Sequence, residues 1–188
     1  MARQISTAVS DFFLACSIVF VVNHLYQASV PFAAIGLTIQ GVAASVGIVR
    51  FFMLRSEMGP VFRMHKFMSW LSTTAGMGLV SYEFCLKHEA VTTGHLVMSF
   101  AIIVTMTTLF MNAENKKLFV EACSGLSLLT ILILSVCYYN IYGVAAAVIY
   151  ILSGAIIGSE GTLLGLRRVD LLHYGLIVGN MAFMKALL

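Results

Sequence analysis

The chain has 188 residues, of which 60% are hydrophobic and 10% are charged, and its formal net charge is +3. A soluble domain typically carries about 25% charged residues, so this composition excludes an ordinary soluble core. The basic residues fall at the ends of apolar segments, where they set membrane topology rather than form a nucleic-acid surface. We therefore expect the lipid bilayer and other membrane proteins as partners, and no nucleic acid.

Seven apolar segments, each about twenty residues long, fill the chain almost end to end, and a helix needs about 20 residues to cross a bilayer core. In chain order they cover residues 10–26, 31–54, 67–86, 92–111, 118–138, 141–157 and 169–187. The sequence predicts an all-α fold, a compact bundle of seven transmembrane helices. We expect this bundle to be a single transmembrane domain of residues 1–188, with no soluble domain.

Lys and Arg are unequally divided between the two sides that alternating spans create. The amino tail and the second, fourth and sixth loops hold nine of them: Arg3, Arg50, Arg55, Arg63, Lys66, Lys116, Lys117, Arg167 and Arg168. The other side holds two, Lys87 and Lys185. By the positive-inside rule the amino terminus is cytoplasmic and the carboxyl terminus is not. We expect a multi-pass protein of the plasma membrane or an endomembrane.

Six titratable side chains are predicted to lie at one depth near the cytoplasmic ends of their helices. They are Asp11, His65, Glu121, Glu160, Asp170 and His173. Such groups are costly within a span, about 2.5 to 3.5 kcal/mol at its centre. Two interpretations stay open. The acids pair with nearby Arg and Lys and tie helix ends together, or they form a cytoplasm-facing polar cavity that exchanges protons or binds a cation.

A second set of polar residues follows one face of the third segment. Glu83 lies five turns after His65 at 3.6 residues per turn, and Ser69 and Ser72 lie on the same face. Glu83 is therefore expected to face protein, close to His95 at the start of the fourth segment. A structural hydrogen bond between Glu83 and His95, a Glu83 side chain that reaches the membrane surface, and a functional site remain open alternatives.

No run of residues carries a recognisable reaction chemistry, so we predict no catalytic residue, cofactor or metal ligand. The outline of seven spans with an inner amino terminus resembles the progestin and adipoQ receptor type of seven-span hydrolase, whose zinc is held by histidines on the second and seventh helices. That family's Ser-x-x-x-His on span two is absent, because Ser45 has no His four residues later. Its His-x-x-x-His on span seven is reduced to His173 followed by Ile177. We therefore assign no family.

Three functions remain open. Seams of Gly and Ala without a soluble domain favour a non-catalytic accessory or assembly component of a membrane, which is the leading expectation. Acids and histidines on several helices favour a small proton- or cation-coupled transporter. The third is an intramembrane lipid hydrolase. A dry, tightly packed bundle would favour the first function, a water-filled passage that links His65 to Glu83 the second, and convergent ligands around His173 the third.

Overall fold

The computed structural model describes residues 4–53 and 59–188, and this part of the chain is almost entirely helical. The helices are α1 (Ile5–Gln27), α2 (Pro31–Phe52), α3 (Pro60–Leu71), α4 (Met77–Lys87), α5 (Val91–Thr108), α6 (Ala113–Cys137), α7 (Ile141–Ile151) and α8 (Arg168–Leu187). A π-helical turn, Ser72–Gly76, joins α3 to α4, and a second one, Leu152–Ile157, extends α7. The described chain thus forms seven continuous helical stretches, and the all-helical prediction is confirmed.

Four of these helices are long and apolar enough to cross a membrane: Ile5–Gln27, Pro31–Phe52, Val91–Thr108 and Glu114–Cys137. The segment 141–157 is apolar but shorter. The α3 helix begins at Pro60, seven residues before the predicted segment, because proline is well suited to the first helical turn. This early start adds charged residues to the stretch. Of the basic residues used to predict topology, Arg3 and Arg55 lie outside the described residues.

The helices pack as a ring with one peripheral member. The α2 helix packs against α1 on one side and against α3 and α4 on the other. The α8 helix packs between α1 and α7, and α6 closes the ring by contacting α7 and α4. The α5 helix lies outside, against α4 and α6. The α3 and α8 helices flank the α1–α2 pair from opposite sides. The beginning of α3 and the beginning of α8 therefore face each other across a space.

Three nearly identical tight turns connect α1 to α2, α4 to α5 and α6 to α7. They are residues 28–30, 88–90 and 138–140, with left-handed central residues Ser29, Glu89 and Tyr139 at φ 59°, 55° and 55°. In each turn the last residue donates its amide hydrogen to a carbonyl five residues earlier, at 2.8 to 2.9 Å. This is the Schellman closure of a helix end. We call these the outer turns, and the end of the bundle that carries them the outer end.

The outer half of the bundle is closed. Leu25, Phe84 and Phe183 are fully buried there, and the two phenylalanine rings pack edge to face with centroids 5.8 Å apart. Lys87 Nζ donates hydrogen bonds to the carbonyls of Ala186 and Leu187, each at 2.9 Å, and so satisfies the last turn of α8. The opposite, inner end carries a short antiparallel hairpin of Thr162–Leu163 and Leu166–Arg167.

Candidate functional site

A cavity of about 820 Å³ lies at the inner end of the bundle. Its walls come from α1, α2, α3 with its π-helical turn, α8, and residues 159–160 of the loop before α8. Exposed Lys66 and Glu160 stand at its mouth, and Gln40, close to the middle of α2, lies at its floor. We call this cavity the inner pocket. It enters the bundle from one end only, because the outer half is closed.

The absence of a side chain at Gly47 of α2 makes room for two helices to meet there. A Cβ at this position would overlap the Asp11 carboxylate and would lie 3.0 Å from His65 Nε2. Only glycine therefore lets α1 and α3 place both polar groups against α2. The π-helical turn brings Ser72 and Thr73 into the pocket wall, and such single-turn π segments often occur at functional sites.

A hydrogen-bonded chain joins α1 to α8 on one side of the pocket. His173 Nδ1 lies 2.9 Å from Ser10 Oγ, and His173 Nε2 lies 3.5 Å from Asp11 Oδ1. Ser10 Oγ also contacts the Thr7 carbonyl at 3.0 Å and, at 3.5 Å, Asp170 Oδ1. Asp11 is 1% exposed, Ser10 is 0% exposed and His173 is 8% exposed. This series of hydrogen-bonded side chains is therefore shielded from solvent at Ser10, and it contacts the pocket through Asp11 and His173.

The hydrogen bonds from Thr7 through Ser10 and His173 to Asp11 can be arranged in two ways, which differ by one proton. In the first arrangement the Ser10 hydroxyl donates to the Thr7 carbonyl, and His173 Nδ1–H donates to Ser10 Oγ. His173 Nε2 and Asp11 Oδ1 can then share a hydrogen bond only if one more proton is present, either on the imidazole or on the carboxyl group. When the Ser10 hydroxyl turns to His173 Nδ1, Nε2–H donates to a charged Asp11 and that additional proton is absent. The His173–Asp11 pair is thus a site that can take up and release a proton.

On the other side of the pocket, Arg50 of α2 contacts His65 of α3. Arg50 Nη1 lies 2.8 Å from His65 Nδ1. A guanidinium can only donate, so Nδ1 accepts and the hydrogen of the neutral imidazole is on Nε2. The Arg50 guanidinium also lies over the ring of Phe62, 4.5 Å from its centroid. These contacts fix the His65 ring so that Nε2–H points toward Gly47 and Asp11.

A polar gap lies between α1 and α3 at Gly47. Asp11 Oδ2 is buried and has no hydrogen-bond partner among the described residues. His65 Nε2 likewise has no hydrogen bond within the described part of the chain. The two atoms are neighbours, since both lie near the point where a Gly47 Cβ would be. An unpaired buried acceptor costs about 1 to 3 kcal/mol, so this gap is suited to a group that both donates and accepts hydrogen bonds.

The floor of the pocket is a closed ring of three side chains. Gln40 Nε2 donates to Tyr150 OH at 3.2 Å, Tyr150 OH donates to Asn180 Oδ1, and Asn180 Nδ2 donates to Gln40 Oε1 at 2.9 Å. Each member therefore gives one hydrogen bond and receives one, in a single direction around the ring. Such chains polarise one another in a low dielectric. The ring ties α2, α7 and α8 together in the middle of the bundle.

Comparisons with models of known families, with curated proteins and with solved structures find no match. The resemblance in outline to the seven-span hydrolases thus has no support beyond the number of segments. Function has to be argued from the inner pocket alone.

The structure brings five of the six residues of the predicted inner cluster to this region. Asp11, His65, Glu160 and His173 line the pocket, and Asp170 joins it through Ser10. An acid and a histidine of different helices meet in the Asp11–His173 pair. Glu121 is the exception. It is exposed on α6, and its Oε1 lies 3.8 Å from Lys117 Nζ on the same helix.

The two residues of the predicted outer pair have separate partners. Glu83 is buried, and its Oε2 accepts hydrogen bonds from the amide of Phe32 at 2.7 Å and of Ala33 at 3.2 Å. It therefore faces protein, and it caps the amino end of α2. His95 is exposed, and its Nδ1 lies 3.5 Å from Tyr82 OH. The pair is thus not brought together in the described structure.

Several residues of the pocket were not assigned to a site by sequence reasoning. The sequence predicts Arg50 as a topology signal and as one of the basic residues that pair with the acids, and it predicts no site role for Gln40 or Tyr150. The available signal was chemical: Gln40 is an amide in an otherwise apolar segment, and a polar group at that depth needs a partner. Ser10 carried no signal, because serine is common at packed helix interfaces.

The arrangement supports proton exchange and polar binding better than nucleophilic or metal chemistry. Ser10, His173 and Asp11 occur in the order of a nucleophile, a base and an orienting acid. However, Ser10 is fully buried and does not line the pocket, so a substrate there would not reach its hydroxyl. Among the described residues, no group of three or more His, Cys, Asp and Glu side chains is placed to hold a metal ion.

Proposed function

We propose that the protein is a small proton-coupled carrier that binds its solute in the inner pocket. In this proposal the chain crosses the plasma membrane or an endomembrane seven times, with a cytoplasmic amino terminus and a non-cytoplasmic carboxyl terminus. The pocket then opens to the cytoplasm and corresponds to an inward-open state. The observation that carries the proposal is the one-ended cavity, in which the proton-binding Asp11–His173 pair faces space large enough for a solute.

The distribution of aromatic and basic residues supports the membrane placement. Five of the seven tyrosines occur at the outer end: Tyr26, Tyr82, Tyr138, Tyr139 and Tyr142. Tyrosine favours the membrane–water interface, where its ring meets lipid and its hydroxyl meets water. The inner end carries most of the basic residues, which favour the cytoplasmic side. Both patterns fit a bundle whose outer turns lie at the non-cytoplasmic surface.

The closed outer half supports a carrier rather than a channel. A channel in this state would need a continuous polar passage, whereas Leu25, Phe84 and Phe183 fill the space beyond the Gln40–Tyr150–Asn180 ring. A carrier exposes its site to one side at a time, and its site commonly lies near the bilayer midplane. The polar ring lies at that boundary, so opening toward the outer side would require it to separate.

The other two functions fit the pocket less well. A lipid hydrolase needs an accessible nucleophile or a metal-bound water, and Ser10 is fully buried. An accessory subunit needs only packed helices and exposed apolar faces, so it gives no role to the unpaired Asp11 Oδ2. Groups of this kind inside a span are expensive and usually functional. For this reason we place the carrier ahead of the accessory component.

The experiment is a proton-flux assay in proteoliposomes that contain a pH-sensitive dye. The purified chain is challenged in turn with gradients of organic acids, amines, amino acids and neutral sugars. We expect one class to drive proton movement, and expect Asp11→Asn and His173→Gln to abolish it. Glu121→Gln is the matched control, since this acid is exposed and outside the pocket. Proton movement with none of the four classes, or equal movement in the Asp11 variant, would contradict the proposal.

A further inference from the structure

We infer that the inner pocket binds a small organic monoanion with a carboxylate group, together with one proton. This inference rests on the proposed function, because it names the solute class of the same pocket. It follows from three observations: the hydrogen-bond donors that face the pocket, the balance of charge around Asp11, and the two unlike walls of the cavity.

The donors that face the polar gap at Gly47 favour an oxyanion. His65 offers Nε2–H there, because Arg50 fixes its Nδ1 as the acceptor. Arg50 itself brings a permanent positive charge to the same wall, and Lys66 adds another at the mouth. Carboxylates form their strongest hydrogen bonds with charged or polarised N–H groups. A cationic solute would instead enter past Lys66 and meet the guanidinium, so the pocket disfavours amines.

The charge around Asp11 explains why a proton must accompany the anion. Every element packed at this point contributes a titratable or charged group. These are Asp11 from α1, Arg50 from α2, His65 and Lys66 from α3, Glu160 from the loop, and Asp170 and His173 from α8. An anion at His65 Nε2 would lie beside the Asp11 carboxylate, and two like charges at such a distance repel strongly in a low dielectric. Uptake of one proton by the Asp11–His173 pair removes that repulsion.

The walls of the pocket favour a solute with a short body attached to the carboxylate. The α3 side presents the hydroxyl groups of Ser69, Ser72 and Thr73. The α8 side presents the apolar side chains of Leu172 and Leu176. A volume of about 820 Å³ is in the range of small-molecule sites, which is about 300 to 1,000 Å³. The pocket can therefore accept a body of several carbons, with or without hydroxyl groups.

The test is isothermal titration of the protein in lipid nanodiscs with two matched pairs of probes. Gluconate is compared with sorbitol, its uncharged counterpart, and hexanoate is compared with hexylamine. Titrations in bis-Tris and in Tris at one pH give the number of protons taken up, because these two buffers differ in ionisation heat and neither is an oxyanion that would compete for the site. We expect at least one carboxylate to bind with uptake of about one proton, and its affinity to fall as the pH rises.

Two variants separate the roles within the site. Asp11→Asn should keep carboxylate binding but remove most of the proton uptake and the pH dependence, because no charge remains to be neutralised. His65→Gln should weaken carboxylate binding about tenfold, the loss expected for one hydrogen bond to a charged group. The proton uptake of the unmodified protein stands as an independent measurement if either variant fails to fold.

The possible failures are distinguishable. Binding of hexylamine or sorbitol in place of the carboxylates would overturn the anion assignment and leave a carrier of another solute. Carboxylate binding without proton uptake would overturn the coupling. If neither carboxylate binds but nanodiscs doped with phosphatidic acid shift the protein's unfolding temperature, the anion is a lipid headgroup and the inference is wrong. Absence of proton-linked movement with any solute in the liposome assay would remove the proposed function as well.

Discussion

Glu83 closes the amino end of α2, because its Oε2 accepts the hydrogen bond of the Phe32 amide at 2.7 Å. The first amides of a helix have no partner within the helix, and a negative charge there is further favoured by the helix dipole. We expect Glu83→Leu to lower the free energy of unfolding by about 1 to 3 kcal/mol, the cost of leaving buried donors unpaired. Unfolding in detergent with circular dichroism measures the change.

Two further variants control this prediction. Glu83→Gln keeps an acceptor oxygen and should cost less than Glu83→Leu, because only the charge is lost. Glu89→Gln removes an acid from an adjacent exposed turn and should leave stability unchanged. Equal stability of Glu83→Leu and the unmodified protein would mean that the side chain reaches the membrane surface instead of capping α2.

Gly47→Ala should disrupt the inner pocket. The new Cβ would overlap the Asp11 carboxylate and crowd His65 Nε2, so one of the two side chains has to move. Overpacking of this kind costs about 1 to 3 kcal/mol, and proton-linked solute movement should be lost with it. Gly125→Ala is the control, because a Cβ at that position meets nothing within 4 Å. Alanine there should be neutral or stabilising by about 0.5 to 1 kcal/mol. Indistinguishable behaviour of the two variants would refute the close approach at Gly47.

Tyr150→Phe should open the polar ring at the pocket floor. The substitution removes one hydroxyl, so Gln40 loses an acceptor and Asn180 loses a donor in a buried position. We expect a loss of about 1 to 3 kcal/mol in stability, accompanied by a lower rate of solute movement, since the ring couples three helices. Tyr174→Phe serves as the control, because Tyr174 is exposed on α8. A stable Tyr150→Phe protein with unchanged transport would show that the ring is dispensable.

Membrane topology can be tested with terminal tags. Seven spans would place the two ends on opposite sides, and the positive-inside rule predicts a cytoplasmic amino terminus from the excess of Lys and Arg at the inner end. In cells whose plasma membrane is selectively permeabilised, an amino-terminal tag should be accessible to antibody and a carboxyl-terminal tag should not. Detection of both tags on one side would require an even number of spans.

Helix positions could be predicted because each helix depends on residues that are adjacent in the chain. The predicted segments match the observed helices within a few residues, apart from the early start of α3 at Pro60. In the structure His65 of the third segment contacts Arg50 of α2, and Glu83 caps the same helix at its other end. Periodicity is a local property, and the sequence displays it directly.

Lateral neighbours could not be predicted, because depth does not determine which helices adjoin in the plane of the bundle. Glu121 lies at the same predicted depth as Asp11, yet α6 turns it outward beside Lys117. The sequence predicts His95 as a partner of Glu83 because both side chains are polar and lie near the same end of their helices. In the structure the partners of Glu83 are backbone amides of α2, which every helix carries at its start and which no residue type reveals. The two π-helical turns could not be predicted either, because each inserts only one extra residue into an otherwise regular helical periodicity.

The outer turns restrict what a partner can recognise at the outer end of the bundle. Three connections of three residues each, closed by their own backbone hydrogen bonds, leave almost no loop on that face. A protease, an antibody or a glycan-modifying enzyme needs an extended segment of several residues, and this surface supplies none between the helices. Peptide insertions in these turns would break the Schellman closures. We therefore expect partners to contact the faces of the helices or the inner end, where the connection before α8 spans residues 158–167.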